Sequence, residues 1–77
     1  MVEAYILIQT EAGKASDVAR EVSTMTGVTM CEYVMGPYEV IARVEAASGD
    51  ELGKLVIARI QSVPGITRTT TCTIVHL

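Results

Sequence analysis

The 77-residue chain contains no tryptophan, no phenylalanine and only three tyrosines. It therefore lacks the aromatic platforms on which nucleobases stack. Basic charge is thin as well: six Lys and Arg stand against nine Asp and Glu, a formal net charge of −3. Lys14, Arg20, Arg43, Lys54, Arg59 and Arg68 are scattered along the chain. With no basic stripe to follow a phosphate backbone, direct nucleic-acid binding is not expected. One histidine, His76, and two cysteines, Cys31 and Cys72, without Cys-x-x-Cys spacing fall short of a zinc constellation. No metal and no cofactor are expected, and the thiols suit a reducing cytoplasm. No apolar run approaches the roughly 18 residues that cross a bilayer, and the strand pattern starting at Val2 leaves no room for a signal peptide. A cytoplasmic location follows as an expectation. Gly13-Lys14-Ala15-Ser16 lacks the preceding glycine of a phosphate loop. His76 has no recognisable Ser-His-Asp or Cys-His partners, so no catalytic residue is assigned.

What the chain does have is a pattern written twice. Val2, Ala4 and Ile6 recur as Val40, Ala42 and Val44 at an offset of 38 residues. Val18, Val22 and Met25 recur as Val56, Ile60 and Val63, and Gly27-Val28-Thr29 as Gly65-Ile66-Thr67, with no insertion. Alternating apolar residues in Val2–Gln9 predict a strand. Ala15, Val18, Ala19, Val22 and Met25, spaced by three and four, predict an amphipathic helix ending near Gly27. Strands are then expected over Val28–Met35, Glu39–Ala46 and Ile66–Leu77. A second helix is expected to open on a Ser48-to-Glu51 capping box and to bury Leu52, Leu55, Val56 and Ile60. The order βαββαβ is that of the ferredoxin-like plait, an α+β fold with a four-stranded antiparallel sheet and two helices on one face. Residues 1–77 form one domain.

A chain this short buries only about 60% of its unfolded surface, and oligomerisation is a common remedy. Two helices cover the even-numbered face of the sheet. The opposite face should carry Tyr5, Leu7, Ile41 and Val75, with Cys31, Tyr33 and Met35 nearby and the odd residues Thr67, Thr69, Thr71 and Thr73 beside them. Such a mixed face suits sheet-on-sheet pairing with a second copy better than free solvent.

Between the two halves lies Met35-Gly36-Pro37-Tyr38-Glu39. Gly36 allows close approach of a ligand to the backbone, and Pro37 stiffens the turn. Tyr38 offers a ring and a hydroxyl, Glu39 a carboxylate for an ammonium group, and the amides around Gly36 a seat for a carboxylate. A zwitterionic amino acid would satisfy all of these. Taken alone, the same residues also describe a plain turn between two strands.

The βαββαβ layout, the opening Val2-Glu3-Ala4-Tyr5-Ile6-Leu7-Ile8, the Gly36-Pro37-Tyr38-Glu39 loop and the closing Gly65-Ile66-Thr67-Arg68-Thr69-Thr70-Thr71 resemble the effector-binding (RAM) domain of Lrp/AsnC transcription regulators. Two departures stand out. There is no room for the family's N-terminal helix-turn-helix, so the chain resembles a stand-alone form, and Glu39 stands where the family usually has Asp. The resemblance implies a non-enzymatic module that binds an amino acid between subunits. It also implies a homodimer through the open sheet faces, assembly into a ring such as an octamer or decamer, and mixed assembly with full-length Lrp/AsnC paralogues. Carried over by position, the ligand contacts are Gly36, Tyr38 and Glu39 with Thr69 and Thr71, and Met35 and Pro37 as neighbours. Rival expectations are a small dimeric plait enzyme of the monooxygenase or isomerase kind, with a deep cavity reaching His76, Tyr33 or Tyr5, and a purely structural oligomerisation domain. An ACT-type domain shares the element order and differs in pairing its sheets side by side.

Overall fold

The computed structural model describes residues 1–77. Strand β1 (Val2–Thr10) is followed by helix α1 (Ala15–Ser23), strands β2 (Val28–Tyr33) and β3 (Val40–Ala46), helix α2 (Gly49–Lys54) and strand β4 (Ile66–Thr73). The four strands are antiparallel in the order β2-β3-β1-β4, which is the ferredoxin-like arrangement expected from the duplicated pattern. Ala4, Ile6 and Ile8 of β1 and Val40, Ala42 and Val44 of β3 are fully buried. They pack against Ala15, Val18 and Val22 of α1 and against Leu52, Leu55, Val56 and Ile60. Period-two alternation in the strands and the three-to-four spacing in the helices bring these residues to one core.

Helix α2 starts as its capping box predicts, with the Glu51 amide donating to the Ser48 hydroxyl at 3.2 Å. From Leu55 to Ile60 it widens into a π-helical segment, marked by the Gln61 amide donating to the Val56 carbonyl at 2.9 Å. That turn leaves Ile57 pointing to solvent, 68% exposed. Gly27 and Gly65, equivalent in the repeat, both adopt φ +97°. A Cβ at Gly65 would lie 2.9 Å from Lys14 Cβ, and one at Gly27 would lie 3.0 Å from the Glu45 carbonyl oxygen. Both positions thus require glycine for backbone angle and for space.

The open face differs in part from expectation. Tyr5, Leu7 and Ile41 do lie on it, because each is paired with another odd residue of β1 or β3. In β4, however, Ile8 pairs with Thr69, Ile6 with Thr71 and Ala4 with Thr73. The odd threonines therefore share the helix-side face, and Arg68, Thr70 and Cys72 occupy the open one. In β2 a bulge between Val28 and Met30 sets the parity, and Cys31 then pairs with Ala42 and Tyr33 with Val40. Cys31 and Tyr33 accordingly belong to the helix side. The Cys31 thiol lies 3.4 Å from the Ala19 carbonyl of α1, and burial pushes its pKa up. Met30 and Glu32 take their place on the open face. Strand β2 ends at Tyr33 and β4 at Thr73, so Met35 and Val75 lie beyond the sheet.

Candidate functional site

The loop joining β2 to β3 is held in shape by β1. Within it the Val34 amide donates to the Glu39 carbonyl at 2.9 Å, and the Glu39 amide donates to the Ile8 carbonyl at 3.0 Å. Glu39 Oε1 accepts from the Thr10 amide at 2.6 Å and lies 3.4 Å from the Thr10 hydroxyl. The Gln9 side-chain amide donates to the Pro37 carbonyl at 3.3 Å. Thr10 is available for this because the even residues of β1 turn their backbone groups towards β3, as the Ile8 carbonyl does, and the β1–β3 pairing ends at Ile8–Val40, two residues short of the Thr10 amide. Above these anchors Met35, Gly36 and Pro37 are exposed, Met35 completely so, whereas Tyr38 and Glu39 are half-buried. Nothing lies within 4 Å of a Cβ placed on Gly36, so its backbone is open to approach.

Thr69 and Thr71 lie elsewhere. They line a cleft of about 310 Å³ between β4 and the second helix, with Gly49, Gly53, Ile57 and Gln61. The Gln61 side-chain amide donates to the Thr69 hydroxyl at 2.8 Å. The loop residues line none of the three clefts of the chain. Within one chain, then, the two sets of candidate residues face separate spaces. None of these clefts is lined by His76, Tyr33 or Tyr5, the residues around which an enclosed catalytic cavity was the rival expectation.

Sequence reasoning missed the residues that support these sites. Gln9 and Thr10 hold the loop, and Gln61 orients Thr69. The visible signal was a polar Gln9-Thr10 pair closing an apolar strand. It also missed a charged cluster on the open face. Glu3 stands opposite Glu45 in the register, and Arg43 reaches both, at 2.5 Å and 3.4 Å. His76 Nε2 lies 3.0 Å from the second Glu3 oxygen. The hydrogen bond from Arg43 holds the Glu3 carboxyl below its ordinary value, against the opposing effect of burial. The same contact raises the Arg43 pKa.

A four-stranded antiparallel sheet with both helices on one face defines a ferredoxin-like α+β domain. The family described as Lrp/AsnC ligand binding domain matches residues 3–76, and the chain belongs to that family. It is 28% identical over 71 residues to an uncharacterised helix-turn-helix-type transcriptional regulator of Pyrococcus furiosus, a match covering 88% of this chain and 47% of that protein. The chain thus spans about half the length of the curated relatives it matches. Among solved structures it is similar to FFRP-DM1, with a TM-score of 0.92 and 32% identity over 97% of this chain and all of that one. It is also similar to AsnC of Escherichia coli, with a TM-score of 0.91 and 25% identity over 99% of this chain and 52% of that one.

Proposed function

We propose that the chain is a regulatory module that binds a free amino acid and works as part of an oligomer in the cytoplasm. The observation that carries this is the β2–β3 loop. Its Pro37–Glu39 side is fastened to Ile8, Gln9 and Thr10 and its Val34 end closes onto Glu39, while Met35, Gly36 and Pro37 remain exposed. A loop ordered before the ligand arrives does not lose that entropy on binding. In this scheme Met35, Gly36, Pro37, Tyr38 and Glu39 of one copy receive the ligand, and Thr69 and Thr71 come from a neighbouring copy. Two copies pair through the open sheet faces, and the pairs assemble into a ring of eight or ten chains. Residues 1–77 act as one domain and can enter mixed rings with full-length Lrp/AsnC regulators.

A transcriptional regulator of Neisseria meningitidis that shares the fold, at 16% identity and a TM-score of 0.85, was crystallised with L-methionine, which makes L-methionine the first probe. The test is calorimetric titration with each of the twenty amino acids, alongside light scattering of the same sample. Saturable heat from at least one amino acid is expected. No heat from any of them, with the oligomer intact, overturns the sensing role.

A further inference from the structure

Two open-face charges have no partner within the chain. Glu32 lies on edge strand β2, in the row that runs through Ile41 and Leu7 to Thr70. Arg68 lies on the other edge strand, β4, opposite Gln9 and one row along. Both side chains are exposed, and neither takes part in any of the chain's ion pairs. Three inter-strand gaps separate them, roughly 14 Å at the usual strand spacing. They do not reach each other across their own sheet. Ile41 and Leu7 lie between them across the sheet, in the row of Glu32, and Tyr5 lies in the next row on the side away from Arg68.

We propose that a second copy covers this face about a two-fold axis running along the strands between β1 and β3, and that Glu32 of each copy pairs with Arg68 of the other. A rotation of this kind lays the β2 edge of one copy over the β4 edge of its partner, so the two unpartnered charges of opposite sign meet twice. An axis across the strands instead sets β2 over β2 and brings Glu32 towards its own copy, where like charges repel. Two rows of side chains are about 7 Å apart along a strand, a span that an Arg and a Glu side chain bridge. The charges lie at the rim and Leu7 and Ile41 at the centre, the distribution that a stable interface shows. Near the axis, at the other end, the Glu3–Arg43–Glu45 cluster meets its own copy, with the carboxylates of each already neutralised in part by Arg43. Rim charges of this kind fix register and orientation more than they add affinity. This inference rests on the open-face homodimer of the preceding section.

The test is a charge swap read by sedimentation equilibrium at low salt, with circular dichroism as the folding control. Glu32→Arg alone sets Arg against Arg at both rim contacts, and Arg68→Glu alone sets Glu against Glu. Each single variant is expected to weaken the dimer by about tenfold to a hundredfold, given two pairs changed from attraction to repulsion. Mixing the two single variants is expected to restore dimers of mixed composition, because both rim pairs are then complementary. The double variant E32R/R68E should likewise recover, and salt should flatten all these differences. The neutral variants E32Q and R68Q check that no effect comes from loss of fold. A protein that is dimeric yet indifferent to the swaps overturns this inference alone. A protein that stays monomeric at all concentrations overturns the open-face dimer and this inference with it.

Discussion

Replacing Glu39 by alanine isolates the clamp that shapes the candidate binding loop. The substitution deletes the acceptor of the Thr10 amide at 2.6 Å and leaves both backbone bonds of residue 39 in place. A hydrogen bond to a charged group contributes about 1.5–3 kcal/mol. Glu39 is half-buried, so water takes over part of the lost bond, and a cost of about 1–2 kcal/mol is expected. For a domain of this size that corresponds to a fall in Tm of roughly 5–15 °C. Glu39→Gln keeps an acceptor oxygen and loses only the charge, so about half the penalty should remain. The Thr10 amide is the local reporter: its hydrogen exchange should accelerate about 5- to 30-fold in the alanine variant. Thermal unfolding with residue-resolved exchange measures both quantities. If Glu39→Ala melts with the wild type, or if the glutamine and alanine variants are equal, the carboxylate does not hold the loop.

Two further expectations concern the scaffold. Gly13 has φ +79° with open space around a Cβ, whereas Gly65 has φ +97° and a Cβ there meets Lys14 at 2.9 Å. Gly13→Ala should cost about 1–2 kcal/mol for the backbone angle and Gly65→Ala a further 1–3 kcal/mol, roughly, for overpacking; equal losses in urea titrations would show that the Lys14 contact relaxes freely. The depressed Glu3 pKa sets a sign for acid unfolding. A lowered folded-state pKa contributes stability that is present above the ordinary value of 4.5 and is lost as pH falls through the folded value. Arg43→Met removes the cause, so its Tm should depend less on pH below about 4.5 than that of the wild type; parallel curves would show that Arg43 is not what depresses Glu3.

The helix-side half of this fold was legible because local pattern and tertiary fate coincide there. Ala4, Ile6, Ile8, Val40, Ala42 and Val44 alternate in sequence and are all fully buried. The open face was only half legible. Which residues of β4 face outward depends on its register with β1, and a one-residue slip exchanges every side chain between faces. The same holds for β2, where the bulge before Met30 decides that Glu32, not Cys31 or Tyr33, looks outward. Neither register leaves a local trace. The Arg43 cluster was hidden for the same reason, since Glu3 and Glu45 become neighbours only by pairing. At the candidate site the loop stood out because the repeat leaves it over. Its anchors did not, because the Thr10–Glu39 bond joins residues far apart in sequence and depends on β1 running on past the end of its pairing with β3.

The duplication also explains why a single loop stands outside the repeat. Gly65 of the second half abuts Lys14 and Val18 at the first helix, and Gly27 of the first half abuts Leu55 at the second. Each half thus ends its helix in a positive-φ glycine seated against the other half, and the contacts exchange as a pseudo-two-fold relation requires. Such a relation doubles everything within a half, including the core faces and both tight turns. It cannot double the connection between the halves. The Val34–Glu39 loop is that connection, and it is fastened to the far end of β1 by groups with no counterpart at the end of β4, where the chain leaves the sheet after Thr73. Selection for packing therefore acts on both halves alike. The loop is held only at Glu39 and at the carbonyl of Pro37, which leaves the outward surfaces of Met35, Gly36 and Pro37 open, as the proposed ligand contact requires.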